Sequence, residues 1–423
     1  MAPSLVSVQS SAVDSAGTAE QHPGVTPWIL LALLGLGAPA PPAASAGEIH
    51  AIWLSYPWWR LPKGQKEALV SYLAERGVNR VYLSVYDEGR MRWAGSALAK
   101  AGYAGPGDDA ALVESVGLFR ARGIAPVAFF EWGLAVSQEA PAVRERPGLF
   151  QRCGDGVASG EHGGRLMAFL DPSQDEALAP VLGALEELAR HPAGFREIQL
   201  DRFRYTHVDW KTCTARDGTS SPAHLGRAVA AAYRRIKAAN PAVTVSASPV
   251  GSYGFWKHNQ RWGEWVRDGT IDAIATQAYI TPVDKAACRP GAGPSPGLAQ
   301  TVAIFKGELA SLSGRPDLLE EAVAELKAAG GDERLLELDD RRPMVTARRA
   351  ELAAAPRRVP IVVGYAAHRP DEAGCVVEEM RLARKLGFPD AALWVSAVAP
   401  GEDGSPNPAI ADDLDLLGRT GWR

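Results

Sequence analysis

Residues 196–205, with the sequence REIQLDRFRY, decide the fold. The first half of this stretch is apolar enough for a buried strand and ends on the carboxylate of Asp201, whereas the second half is polar and aromatic, which is typical of a loop. Residues 125–133, APVAFFEWG, repeat the pattern and end their apolar run on Glu131. Acids at the carboxyl ends of the parallel strands of a barrel lie at the face where such folds place their active sites. The sequence therefore predicts a barrel with two acids at one face.

Strand patterns and helix patterns alternate from residue 49 onward, which predicts parallel strands connected by helices. We expect strands at residues 49–56, 78–86, 126–131, 197–203, 243–248, 271–279, 360–366 and 392–398. Helices are expected at residues 63–76, 109–122, 174–191, 222–240, 258–268, 372–386 and 410–417. Eight strands make a (β/α)8 TIM barrel. An open doubly wound sheet is the alternative, but no Gly-rich phosphate loop opens any of the expected helices.

The chain of 423 residues is expected to form one barrel domain over residues 47–423. The connection between strands six and seven is oversized, at about residues 283–358. It begins with Pro and Gly and then becomes rich in Ala, Glu, Leu and Arg. We therefore expect helix six there together with an inserted helical subdomain.

Residues 1–46 are expected to be a signal peptide with a disordered start. The apolar run at residues 28–37 is too short to span a bilayer comfortably, and Ala44-Ser45-Ala46 is a small-x-small cleavage pattern. The basic n-region of a secretory signal is missing, so an uncleaved N-terminal anchor is the alternative. We expect a secreted, periplasmic or cell-envelope protein that meets a membrane only if this segment is retained.

Four cysteines, Cys153, Cys213, Cys288 and Cys375, suggest disulfides in an exported chain. Four cysteines allow three connectivities. In a barrel, Cys153 and Cys213 would follow strands three and four, and the other two would follow strands six and seven. Neighbouring loops favour Cys153–Cys213 and Cys288–Cys375; four reduced, buried thiols are the alternative. The spacings do not resemble a zinc site.

Acids at strand ends indicate what the barrel face can do, since cleavage of a glycosidic bond usually needs two carboxyl groups. Asp201 is the strongest candidate, because an acid in a buried strand is costly unless it is paired or functional. Arg202 and Arg204 would hold it ionised, and a structural ion pair with one of them is the alternative.

Glu131 is the second candidate, because its apolar neighbours would raise its pKa and so suit a general acid. A hydrogen-bonded structural glutamate is the alternative reading of Glu131. Asp87 is the third, and we expect it to bind a hydroxyl or to cap a turn. The remaining acids near strand ends are Glu88, Asp371 and Glu402.

Tryptophans are frequent, with twelve in the chain. Trp262 and Trp265, three apart on an expected helix, are assigned to the core. For Trp58, Trp59 and Trp132, a stacking surface for sugar rings and core packing are equally compatible with the sequence. The net charge of -4 and the lack of a basic face argue against nucleic acid as a partner.

Short motifs spread over residues 48–280 resemble the bacterial glycosyl hydrolase-like family ten. They are GEIHAIWL at 47–54, VNRVY at 78–82, FFEWGL at 129–134, RPGLF at 146–150, FLDP at 169–172, IQLD at 198–201, SASP at 246–249, Trp265 with GTID at 269–272, and TQAY at 276–279. Their order and spacing together make the match specific. The resemblance implies an exported (β/α)8 barrel that acts on a cell-envelope or environmental polysaccharide.

One departure from the family concerns the end of strand four. The family commonly has two successive acids there; Asp201 matches the first, and Arg202 replaces the second. This change allows an altered substrate or a loss of activity. Residues after 283 match the family poorly.

The resulting hypothesis is an exported glycoside hydrolase that uses two carboxylates. Asp201 would be the nucleophile or base and Glu131 the general acid, with the roles open to exchange. The residues expected to bind sugar are Trp53, Tyr86, Asp87, Trp132, Arg202, Arg204, Tyr205, Gln277, Tyr279, Tyr365 and Trp394. We expect a poly- or oligosaccharide partner, and neither a metal nor another cofactor.

Two alternatives remain. A catalytically inactive glycan-binding barrel is favoured by Arg202 and by the lack of an acid at the end of strand six. A metal-dependent deacetylase or amidohydrolase on the same barrel would need His and Asp ligands at strand ends. The histidines His50, His207, His258 and His368 are too scattered for that.

Overall fold

A computed structural model describes residues 47–395 apart from 56, 88, 155, 158, 163–164, 209–210, 280–281, 290–292 and 368–372. The expected signal peptide at 1–46 and the expected last helix at 410–417 lie outside the described residues. So do Glu88, His368, Asp371 and Glu402, and the end of the eighth expected strand.

Eight parallel strands form a closed barrel in which each strand pairs with its neighbours in chain order, and strand eight closes on strand one. The strands are His50–Leu54, Arg80–Ser84, Ala125–Phe130, Glu197–Leu200, Thr244–Ala247, Ala273–Gln277, Ile361–Ala367 and Ala391–Val395. This topology confirms the predicted (β/α)8 barrel and excludes the open sheet. The strands are called one to eight below.

Thirteen α-helices accompany the strands in the described part of the chain. They are α1 Pro57–Arg60, α2 Lys63–Glu75, α3 Ala97–Lys100, α4 Asp109–Ala121, α5 Pro141–Glu145, α6 Asp175–Arg190, α7 Pro222–Ala239, α8 Ser252–Lys257, α9 Trp262–Arg267, α10 Pro296–Ser313, α11 Pro316–Ala328, α12 Leu338–Ala353 and α13 Ala373–Lys385. Several begin at side-chain caps that the sequence specifies. Asp108, for example, accepts from two backbone amides of α4, and Ser295 caps α10 ahead of a proline.

The helix expected at residues 258–268 is present over a shorter range, as α9 Trp262–Arg267. Helix α8, which the sequence did not predict, precedes it, and residues 258–261 separate the two helices. Asn259 adopts φ 55°, a left-handed conformation that ends helical hydrogen bonding and that asparagine tolerates better than most residues.

Inward and outward side chains alternate along the barrel strands. The interior cluster contains Ala51, Trp53, Tyr82, Val127, Phe129, Ala275, Val362 and Ala392. On strand four, Glu197 accepts from Ser246 Oγ at 2.6 Å, and Gln199 Oε1 accepts from Trp53 Nε1 at 2.8 Å. Because side chains repeat with a period of two, Asp201 continues this inward row one step beyond the strand.

The connection between strands six and seven contains the helices α10, α11 and α12, as well as a 3₁₀ turn at Ala286–Cys288. Helix α10 packs against strand seven, where the Phe305 and Tyr365 rings lie 5.7 Å apart. Glu308 on α10 forms a buried ion pair with Arg341 on α12, at 3.1 Å. That part of this segment forms an inserted subdomain remains a prediction.

The loops at the carboxyl ends of the strands carry small β-structures and both disulfides. One is a three-stranded sheet formed by Ala135–Ser137, Ser159–His162 and Arg165–Phe169. Three more are two-stranded: Tyr86–Asp87 with Arg90–Met91, Arg152–Cys153 with Gly156–Val157, and His207–Val208 with Lys211–Thr212. Cys153 is bonded to Cys213 and Cys288 to Cys375, with Cα–Cα distances of 4.7 and 4.8 Å. This is the pairing that the order of the barrel strands favours. Among the helices described, none is both long and apolar enough to cross a membrane.

Candidate active site

Asp201 lies at the end of strand four and points into the mouth of the barrel. Its Oδ1 accepts from its neighbour's amide, Arg202 N, at 2.7 Å and from Gln277 Nε2 at 3.3 Å. Burial raises the pKa of the Asp201 carboxyl, while the positive charges of Arg202 and Arg204 act in the opposite direction. At 4 % exposure this carboxyl is sheltered from bulk water, so the neighbouring side chains determine its charge.

Glu131 lies beside Asp201 because strands three and four are neighbours. Phe130 is paired with Leu200 in the register, and Asp201 N donates to Phe130 O at 3.3 Å. Phe129 belongs to the barrel interior, so Glu131, two residues further, is on the inward row. Glu131 is 1 % exposed. The structure thus brings the two candidate acids together at the same face.

Arg202 bridges the two acids. One guanidinium nitrogen, Nη1, lies 3.6 Å from Glu131 Oε1 and 3.5 Å from Asp201 Oδ2, and it donates to Glu131 O at 2.6 Å. Because both carboxyl oxygens touch one nitrogen, they are at most about 7 Å apart, a range that matters for glycosidic chemistry. The backbone of Arg202 is left-handed, with φ 47°, which is uncommon for a residue other than glycine.

Gly133 makes this arrangement sterically possible. It has φ 48°, and a Cβ at this position would lie 1.8 Å from Asp201 O. Leu134 N donates to Arg202 O at 3.4 Å, so the loops after strands three and four meet backbone to backbone. Only glycine has neither the Cβ nor the φ restriction that would separate them.

Asp87 is the third buried carboxyl of the site. It accepts from Ser84 Oγ at 2.7 Å and forms an ion pair with Arg92. Burial raises its pKa to about 7; the charge of Glu131 adds to the rise, and Arg92 and Ser84 oppose it. The influence of Glu131 shows that Asp87 belongs to the same electrostatic cluster.

Arg92 was not anticipated from the sequence, although it follows Asp87 by five residues across a short hairpin. Its guanidinium lies 5.5 Å from the centre of the Trp59 ring, and Trp59 Nε1 donates to Ser84 O at 2.7 Å. Trp59 is half-buried. Of the three tryptophans considered for sugar stacking, it is the one whose ring keeps solvent access next to a site carboxyl.

Strand six contributes polar groups rather than an acid. Gln277 Nε2 donates both to Asp201 and to Ser248 O, the latter at 3.2 Å. Burial and the charges of Asp201 and Glu131 raise the pKa of Tyr279 well above the ordinary tyrosine value, so its phenol lies near both acids. Ser248 Oγ is buried without a hydrogen-bond partner in the described part of the chain, and the sequence reasoning did not single it out.

Four aromatic residues expected to bind sugar pack in the outer core instead: Tyr86, Trp132, Tyr205 and Tyr365. Tyr86 donates to Ala135 O at 2.8 Å, and the Tyr205 hydroxyl lies 2.9 Å from His224 Nδ1. Trp132 is 1 % exposed. For Trp132 and Tyr365 the physical reason is the alternation of side chains, since the neighbour of an inward residue such as Glu131 faces outward. Trp58 is fully buried as well, against Phe119 at 4.9 Å.

Trp53 and Trp394 do lie inside the barrel. Their rings are 6.4 Å apart, and Trp53 stacks on Tyr82 at 5.1 Å. Trp53 is 1 % exposed and packs in the barrel interior below the two acids. Trp394 is half-buried, and its ring centre lies 6.5 Å from that of Phe129. Of these two rings, Trp394 is the more exposed in the described part of the chain.

The described residues contain no group of three or more His, Cys, Asp or Glu side chains that is arranged to hold a metal ion. Within these residues, the chemistry of the site comes from carboxyl, guanidinium, amide and phenol groups.

Similarity to known structures supports the fold. The chain is similar to an endo-β-1,4-mannanase from Thermotoga petrophila, with 12% identity, a TM-score of 0.50 and coverage of 88% of this chain and 76% of that one. It is also similar to a β-galactosidase from Halorubrum lacusprofundi, with 14% identity, a TM-score of 0.51 and coverage of 88% and 58%. These two similarities show the barrel fold.

An α-galactosidase from Thermus thermophilus, solved in complex with stachyose, aligns with 15% identity and a TM-score of 0.43. The alignment covers 88% of this chain, which spans 65% of the length of that enzyme. In sequence, no curated protein matches the chain.

A family match covers the fifth and sixth strands and their surroundings. The matched stretch contains Gln277 and Tyr279, and both candidate acids lie upstream of it. Residues 221–290 match the family model described as Glycosyl hydrolase-like 10, which confirms the resemblance to that family over this stretch.

Proposed function

We propose that this chain is an exported glycoside hydrolase that cleaves glycosidic bonds in a polysaccharide with Asp201 and Glu131. One observation carries the proposal: two buried carboxyls at the ends of strands three and four share a single guanidinium nitrogen. Two carboxyls held this close are the usual requirement for glycoside hydrolysis. The family match over residues 221–290 points to the same chemistry.

Asp201 suits the role of nucleophile or base. Arg202 N and Gln277 Nε2 donate to it, and N–H donors stabilise a carboxylate rather than a protonated acid.

Glu131 suits the role of general acid. It is 1 % exposed and shares the Arg202 nitrogen with Asp201, so it stands where the second carboxyl of the pair is needed. A general acid must hold its proton at the working pH.

The separation of the two carboxyls decides whether the anomeric configuration is retained or inverted. Retaining enzymes place the two groups about 5–5.5 Å apart and inverting enzymes about 6.5–9.5 Å apart. The shared contact with Arg202 limits the distance between Glu131 Oε1 and Asp201 Oδ2 to about 7 Å, which admits the retaining separation and the lower end of the inverting range. Proton NMR of the first product formed reports its anomeric configuration and so distinguishes retention from inversion.

A catalytically inactive glycan-binding barrel is the second candidate, and the ion pairs of Arg202 favour it. A guanidinium between two carboxylates keeps both ionised, which opposes general acid catalysis. An incubation with a panel of bacterial and plant polysaccharides distinguishes the two functions. Released oligosaccharides and bound polysaccharide are both measured. Release supports the hydrolase, whereas binding without release supports the binding barrel.

A further inference from the structure

Glu308 on helix α10 holds a buried carboxylate that the proposed chemistry does not use. It is 3 % exposed. Its Oε1 accepts from Ser252 N at 2.5 Å, and its Oε2 accepts from Ser252 Oγ and from Arg341 Nη1, the latter at 3.1 Å. Arg341 is 4 % exposed, so the pair neutralises itself inside the protein. A buried ion pair with further hydrogen bonds fixes the groups that it touches.

The partner of Glu308 is the loop after strand five, and this loop is fastened to Gln277 on its other side. Gly251 N donates to Gln277 O at 3.1 Å, and Gln277 N donates to Pro249 O at 2.8 Å. The side chain of Gln277 also donates to Ser248 O at 3.2 Å. The same Nε2 then reaches Asp201, at 3.3 Å.

Gly251 shows how closely these groups are packed. A Cβ at this position would lie 2.3 Å from Glu308 Oε1 and 3.2 Å from Gln277 O. The space between the carboxylate of Glu308 and strand six therefore holds the backbone of this loop and has no room for a side chain at position 251. A displacement of Glu308 is passed to Gln277 through backbone rather than through flexible side chains.

We propose that Glu308 is a positioning residue: it presses the loop after strand five against Gln277 and so fixes the amide that donates to Asp201. The inference rests on the proposed function. The proposal assigns a role to helices α10 and α12, because they carry Glu308 and Arg341, the ion pair that lies behind the loop.

A double-mutant cycle tests the route through Gln277. On the polysaccharide that the wild type cleaves, Glu308→Gln is expected to lower kcat about tenfold with a smaller change in KM, since a misplaced catalytic group costs rate more than binding. In a Gln277→Ala background the same substitution is expected to change kcat less than about twofold, because the two residues act in series. Additive losses in the two backgrounds would overturn the inference.

Glu351→Gln is the matched control. Glu351 is a buried carboxylate on α12, 3.5 Å from Arg348, and its ion pair packs over Trp262 rather than the site. This variant is expected to lower the melting temperature while leaving kcat within about twofold of the wild type, as for an ion pair distant from the chemistry. A kcat loss as large as that of Glu308→Gln would show a general effect of α12 and refute the specific one.

Hydrogen exchange separates this inference from the proposed function. Glu308→Gln is expected to speed amide exchange in peptides that contain Gly251, Ser252 and Gln277, and Glu351→Gln is not. If no polysaccharide is cleaved, the proposed function fails and the exchange result alone decides the positioning. If Glu308→Gln does not fold, Ser252→Ala removes one of the bonds and leaves Arg341 paired. Unchanged exchange at Gln277 in a folded variant would overturn the inference.

Discussion

Replacing Asp87 by asparagine should change how stability depends on pH. In the folded chain the pKa of Asp87 is about 7, against 3.8 for an unperturbed aspartate, and the side chain is 2% exposed. A carboxyl whose pKa is raised by folding stabilises the native state fully below the unfolded pKa, and this contribution is lost as the pH rises through the folded pKa. Asparagine keeps the shape and removes the titration.

The magnitude follows from the shift of about three pKa units. At roughly 1.4 kcal/mol per unit, the full effect is about 4 kcal/mol, of which more than half falls between pH 5 and pH 8. The stability of the wild type should therefore fall relative to that of Asp87→Asn by this share of the effect across the range. Urea unfolding of both proteins at pH 5, 6, 7 and 8 measures it. Parallel stability curves would refute a buried, proton-holding Asp87.

Two further variants probe the geometry of the acids, and a third probes one of the disulfides. Arg202→Met should destabilise the protein by about 3 kcal/mol at pH 8 and by less at pH 5, since it leaves two buried carboxylates uncompensated; equal losses at both pH values would contradict this. Gly133→Ala should cost about 2 kcal/mol or more in urea unfolding, because a Cβ would collide with Asp201 O; a neutral effect would show that the loops can separate. Cys153→Ser combined with Cys213→Ser opens a crosslink with a sequence separation of 60 and should cost about 4 kcal/mol in the chain-entropy model; an unchanged denaturation midpoint would show that the bond adds nothing.

The barrel and the two acids could be predicted because they depend on local patterns. Alternating side chains on strand four place Glu197, Gln199 and Asp201 on one inward row, and strand order makes Glu131 its neighbour. The disulfide pairs follow from the same order. These features need only the period of a strand and the rule that successive strands are adjacent.

The ion pair of Arg202 with Asp201 was predicted, but its contact with Glu131 could not be, because the two residues are distant in sequence. The Arg202 side chain reaches both acids because its backbone is left-handed and because Gly133 admits the loop after strand four. The burial of two aromatic residues outside the barrel interior has a simpler cause. Trp132 follows the inward Glu131, and Tyr365 follows Gly364, whose backbone faces the Trp53 ring, so both side chains point outward by the same alternation.

The most direct test of the proposed two-carboxylate chemistry compares the release of reducing sugar by the wild type, Asp201→Asn and Glu131→Gln, with affinity for the same polysaccharide measured in parallel. The structure predicts that each substitution lowers turnover by roughly a thousandfold or more while affinity stays within about threefold, because each carboxyl would act in the transition state rather than in binding. Variants that turn over at the wild-type rate, or a wild type that binds and releases nothing, would contradict the assignment of Asp201 and Glu131.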